Sequence, residues 1–173
     1  MQEFKPKDII AKIHEMEEMH KELRLMGKQI ADHLGVDELP IEFDYLKDES
    51  SRLEMKPKPR ILISDRFLTK YDYAAYCLAH EYRHVFQIYW ASLMDDDLAR
   101  LWKQEMASAK NSDNIDVNNE EELLEYNIQT IEVDAEAFAI YYLRTFENIY
   151  VKKEQEWYHR LIEAYIRKYR DRL

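Results

Sequence analysis

"CLAHEYRHVFQIYW", residues 77–90, carries two histidines four residues apart with a glutamate directly after the first, inside a run that is otherwise apolar and aromatic. Read as a helix, His80 and His84 fall on one face about one turn apart, so both imidazoles can point at a single ion. Glu81 lies roughly 100° round the axis. From there its carboxylate can reach a water on that ion without itself binding the metal. The neighbours Ala75, Tyr76, Cys77, Leu78, Ala79, Val85, Phe86 and Ile88 mark the helix as largely buried. Burying two imidazoles and a carboxylate is costly unless they have partners, and a metal supplies one. The pattern H-E-x-x-H is therefore read as half of a zinc site, with Glu81 as the candidate general base.

Zinc held by two histidines needs at least one more protein ligand and an open position for water or substrate. The remaining histidines, His14, His20, His33 and His159, sit at no useful spacing, so a carboxylate is the better candidate. "TIEVDAEAFAIYYL", residues 130–143, embeds Glu132, Asp134 and Glu136 in an apolar helical stretch. Glu132 and Glu136 are i and i+4 and share a face. One of them can ligate the metal while the other accepts a hydrogen bond from the far nitrogen of a ligand histidine. Asp134, about 200° from Glu132, is expected to face elsewhere.

Around these two stretches the chain organises simply. The sequence has 173 residues, 46% hydrophobic and 35% charged, which suits one soluble globular domain over 1–173. With only Gly27 and Gly35 as glycines and four prolines, tight turns are scarce and long helices are expected. An amino-terminal helix occupies residues 1–36, with Ile9, Ile13, Met16, Leu23, Ile30 and Leu34 on one stripe from 6 to 34, Pro6 in its first turn and Gly35 as its C-terminal cap. A small two- or three-stranded sheet follows over 40–64. Ile41, Phe43 and Tyr45 alternate in the first strand, "KDESSR" (47–52) makes a turn, and Ile61–Ser64 is the firmest strand. Helices are then expected at 72–93, from about Asp97 to Ala109 behind an Asp95–Asp97 cap, at 120–146 and at 150–172. A loop spans 110–119, and Trp157, Leu161, Tyr165 and Tyr169 line the buried face of the last helix. The fold class is α+β, mostly helical, with the small sheet packed on long helices.

Charge and cysteine usage narrow the function classes. A formal charge of −10 disfavours non-specific nucleic-acid binding. The basic residues Lys152, Lys153, Arg160, Arg167, Lys168, Arg170 and Arg172 read as the solvated face of the last helix. Cys77 is the lone cysteine, so no intrachain disulfide forms and a reducing compartment fits. The first residues lack the apolar run of a signal peptide, and no stretch approaches eighteen apolar residues, so a cytoplasmic protein with no membrane partner is expected.

The pieces "PRILISDRFL", "AHEYRHVFQ" and "EVDAEAFA" together resemble the ImmA/IrrE-type zinc metallopeptidases, small gluzincins of phages, other mobile elements and stress-response loci. The resemblance covers residues 59–90 and 130–143. It implies a minimal zincin-like domain that binds Zn²⁺ and hydrolyses a peptide bond in a protein or peptide substrate, such as a transcriptional repressor. By the same resemblance Glu132 falls on the third metal ligand beside His80 and His84, and Glu136 on the acid supporting the ligands. The chain departs from the pattern at Arg83, where glycine is usual, at Asp134, where glutamate is usual, and in a long connection from His84 to Glu132. Substrate strand addition is expected along Ile61–Ser64, and Tyr126, Tyr141 and Tyr142 are candidates for stabilising the developing oxyanion. A metallopeptidase-like module that acts by binding a partner, and a metal-free helical protein, are the competing readings.

Overall fold

The computed structural model describes residues 6–47, 49–67, 70–108, 119–151 and 155–170. Residues 110–118 of the expected loop, together with Lys152, Lys153 and Arg172, lie outside the described residues, as do the side chains of Ile9, Lys168, Tyr169 and Arg170. The chain runs α1 (Pro6–Leu34), β1 (Ile41–Asp44), β2 (Ser51–Glu54), β3 (Arg60–Ser64), a 3-10 turn (Asp65–Phe67), α2 (Tyr71–Leu93), α3 (Asp97–Ala107), α4 (Glu120–Asn127), α5 (Thr130–Tyr142), a π turn (Leu143–Glu147) and α6 (Glu156–Arg170). It is an α+β protein, mostly helical, with one three-stranded mixed sheet.

The apolar middle of α2 makes it the central element. Ala74 to Ala79, Tyr82 and Ala91 are buried, and the helix packs against α1, α3, α5, β2 and β3. Its neighbours join one apolar cluster that includes Leu23, Ile30, Ile61, Ile63, Leu78, Phe138, Ile140 and Ile162. At the crossing of α1, β1 and α2 a side chain on α1 would have to displace its neighbours. A Cβ on Gly27 would lie 2.5 Å from Cδ1 of Ile41 and 3.1 Å from Cε2 of Tyr82, so the glycine that interrupts the stripe is what lets the three elements meet. Gly35 ends α1 with φ +67, the left-handed cap that its position foretold.

Several sequence expectations are corrected. The α1 stripe is buried only from Met19 onward, through Leu23, Met26 and Ile30, and Ile13 and Met16 are exposed beyond the core. Residues 51 and 52, expected in a turn, begin β2, and Tyr45 lies past the end of β1 and is exposed. The sheet order is β1-β3-β2. β3 is parallel to β1 (Ile41 opposite Ile61) and antiparallel to β2 (Leu53 opposite Ile61). A central strand has both edges hydrogen-bonded, which removes Ile61–Ser64 as the site of strand addition and leaves β2 as an edge. On α6 the buried face is Tyr158, Ile162 and Ile166, one residue on from the expected set, and Trp157 is exposed. The expected stripe has the same i, i+4 spacing, and its Leu161 and Tyr165 pack half-buried against the edge of the same core.

The expected helix over 120–146 is two helices and a π turn. Gln129 is extended (φ −57, ψ 141), and α5 starts afresh at Thr130. The cause lies far away in sequence: Glu105, near the end of α3, accepts hydrogen bonds from Thr130 N at 2.9 Å and Ile131 N at 2.8 Å. A carboxylate at a helix start satisfies free N–H groups and complements the helix dipole. Asp96 caps α3 in the ordinary local way, accepting from Ala99 N at 2.7 Å.

Candidate metal centre

α2 presents His80, Glu81 and His84, and the first turn of α5 presents Glu132 opposite them. His80 Nε2 lies 3.4 Å from Glu132 Oε2, His84 Nε2 lies 3.6 Å from Oε1, and the two Nε2 atoms are 2.9 Å apart. These three ligand atoms all fall within 4.8 Å of one another. A tetrahedral ion with bonds of about 2.0–2.1 Å separates its ligand atoms by about 3.3 Å, so the observed spacings fit zinc with a small opening between the imidazoles. Two imidazole nitrogens and a carboxylate oxygen are also the donor types zinc takes.

Charge holds the three groups together in the metal-free protein. Burial pulls the His84 pKa down, but the facing Glu132 carboxylate outweighs it and lifts the imidazolium to about 9. Burial likewise pushes the Glu132 carboxyl up, and its attraction to His84 with hydrogen bonds from both histidines overrides that and holds it far below the usual carboxylate range. A proton therefore stands in for the cation when no metal is bound.

Glu81 is buried beside the triad, and Ser51 Oγ on β2 donates to its Oε1 at 2.7 Å. Both line a cleft of about 760 Å³ between β2, α2, the end of α3 and the α4–α5 junction. Tyr126 lines it too, at the end of α4, with its hydroxyl pKa pushed well up by burial and then by the Glu132 charge to which it is hydrogen-bonded. Tyr141 and Tyr142 pack against Phe146 instead. His14 pairs with Glu17, His20 stacks on Phe43, His33 sits among Phe138, Tyr142 and Phe146, and His159 faces Glu163.

The acids of the third-ligand helix divide differently from expectation. Glu136 lines the cleft but accepts from the Tyr76 hydroxyl, not from a ligand histidine. The far nitrogen of His84 meets Gln87 Oε1 at 2.7 Å, and that of His80 is buried without a hydrogen-bond partner among the described residues. Asp134, expected to face away, is buried against α2, where it accepts from Arg83 Nε at 2.7 Å and Gln87 Nε2 at 2.8 Å. Arg83 is buried as well, its guanidinium 4.3 Å from the Phe86 ring centre and 5.3 Å from that of Phe138. Gln87 escaped the sequence reading, although a lone amide in "HVFQIYW" three residues after a ligand histidine was the available signal. Ser51 and Glu105 carried no local signal at all.

Among the described residues no helix is long and apolar enough to cross a membrane. No family model, curated protein or solved structure matches the chain.

Proposed function

We propose that the chain is a zinc-dependent metallopeptidase, held to a protein or peptide substrate in the cleft beside β2. The observation that carries this reading is the convergence of His80, His84 and Glu132 at ligand spacing, with the carboxylate of Glu81 next to them in an open cleft. Zinc held there supplies a Lewis acid that polarises the scissile carbonyl and lowers the pKa of a water to about 7. Glu81 takes the proton of the attacking water and returns it to the departing amine, with the Ser51 hydroxyl fixing the carboxylate's orientation through their 2.7 Å bond. The Tyr126 hydroxyl keeps its proton and turns from Glu132 to donate a hydrogen bond to the carbonyl oxygen as negative charge grows there. The outer edge of β2 takes the substrate as an added strand, its backbone groups fixing the peptide while the cleft accepts alternate side chains. The motif likeness to ImmA/IrrE-type enzymes makes repressor-like proteins the first substrates to assay.

The test is Glu81→Gln. The variant retains stoichiometric zinc and loses peptide hydrolysis by about 10²–10⁴-fold. Cleavage at the wild-type rate removes Glu81 from this role, and purified wild-type protein that takes up no zinc removes the whole reading.

A further inference from the structure

Arg83, Asp134 and Gln87 form a buried chain that ends on a candidate metal ligand. Gln87 is fully buried, and its Nε2 donates to the Ile131 carbonyl oxygen at 2.8 Å and to Asp134 Oδ2 at 2.8 Å. A backbone carbonyl can only accept, so it fixes which end of the amide faces it. Both amide hydrogens are then committed, and the Gln87 oxygen is left facing His84 Nδ1 at 2.7 Å. An oxygen in that position requires a proton on Nδ1, which leaves the lone pair of the neutral imidazole on Nε2, the atom that faces Glu132 and His80.

Asp134 is in turn held by Arg83, through Nε at 2.7 Å and Nη2 at 3.3 Å. The guanidinium is confined by Phe86 on its own helix, Trp102 on α3 and Phe138 on α5, at 4.3, 5.9 and 5.3 Å. Three helices thus fix the arginine, the arginine fixes the aspartate, and the aspartate orients the amide. Arg83 and Asp134 offset each other's charge, and the group that meets His84 Nδ1 is the neutral Gln87 carbonyl rather than a carboxylate.

We propose that Arg83 and Asp134 are positioning residues which act through Gln87 to hold His84 as its Nδ1–H tautomer, aimed for metal coordination through Nε2. The inference rests on the metal reading above and gives a role to the arginine that departs from the resembling family's glycine. Glycine at position 83 could neither anchor Asp134 nor fill the aromatic box.

Zinc affinity and the His84 Nδ1–H resonance of the zinc-loaded protein test it together. Gln87→Leu is expected to weaken zinc binding about 10–100-fold in competition with a chromophoric chelator. In the same variant the Nδ1–H signal moves upfield and exchanges faster with solvent. Because Arg83→Met alone strands a buried carboxylate and can fail to fold, the companion variant is Arg83→Met with Asp134→Leu, which removes both charges. It is expected to weaken zinc binding about tenfold and to shift the same resonance. Combined with Gln87→Leu it adds nothing further, since all three act along one path. Wild-type zinc binding that both variants leave within twofold, with an unmoved resonance, overturns the positioning role while leaving the metal site standing. Losses that multiply in the triple variant also overturn it. Failure of the wild-type protein to bind zinc overturns both readings at once.

Discussion

Without a metal, His84 and Glu132 form an ion pair whose pH dependence can be worked out. In the metal-free protein the His84 pKa rises from 6.5 to about 9 because the Glu132 carboxylate faces it. Each unit is worth about 1.4 kcal/mol, so the pair contributes on the order of 3 kcal/mol to folding. His84 is raised, so this contribution is complete below pH 6.5 and is lost as pH climbs through 9. Glu132 is lowered from its ordinary 4.5, so on the acid side the same contribution is present above that value and fades as pH falls. One interaction underlies both limbs and is counted once. Chelated protein melted between pH 6 and 10 should lose roughly 6–12 °C more than a His84→Gln variant, which subtracts the titration of lysines, tyrosines and Cys77. On the proposed metal reading zinc displaces the His84 proton, so zinc-loaded protein is expected to lack this loss and to bind zinc about tenfold more tightly per pH unit up to 9. Parallel melting curves for chelated wild type and His84→Gln, or a zinc affinity flat from pH 6.5 to 8.5, would refute the reasoning.

Two further substitutions probe the scaffold. Gly27→Ala places a methyl 2.5 Å from Ile41 Cδ1, which must swing aside, while the helix gains about 1 kcal/mol of propensity, so its net cost in urea unfolding is expected to stay below about 2 kcal/mol, with zinc binding unchanged. Glu105→Ala removes the carboxylate from the start of α5 and should cost about 1 kcal/mol by the same assay, while weakening zinc binding through the loosened first turn that carries Glu132.

What was legible in the sequence follows the range of the forces involved. His80, Glu81 and His84 declared themselves because their spacing and apolar flanks are properties of one helix. Glu132, Asp134 and Glu136 stood out as acids in a segment as apolar as 130–143, and only the family resemblance chose Glu132 among them. α1, α2 and α3 were readable for the same reason, since periodicity and local caps define them. The break between α4 and α5 was not, because the group that makes it belongs to α3. Nor was β2, whose Ser51 and Arg52 become a strand only by pairing with Ile63 and Leu62. On α6 two stripes of equal period competed, and periodicity alone could not tell which would pack inward. The aim of Asp134 was misjudged by treating its helix as having one functional face, when α2 meets α5 at two levels, His80 and His84 at one and Arg83 and Gln87 at the other.

The Glu105 carboxylate bears on what the stretch after α2 is for. Between α4 and α5 the weak helix formers Asn127, Ile128 and Thr130 permit a break, and the borrowed acceptor at Thr130 and Ile131 fixes where α5 restarts. A continuous helix would replace the extended backbone of Gln129 with a further step of about 100° and so change the angle at which Glu132 faces the histidines. α3 therefore works as a rotational stop: a chain with α3 deleted would keep all three candidate ligands and lose the angle at which the third one arrives.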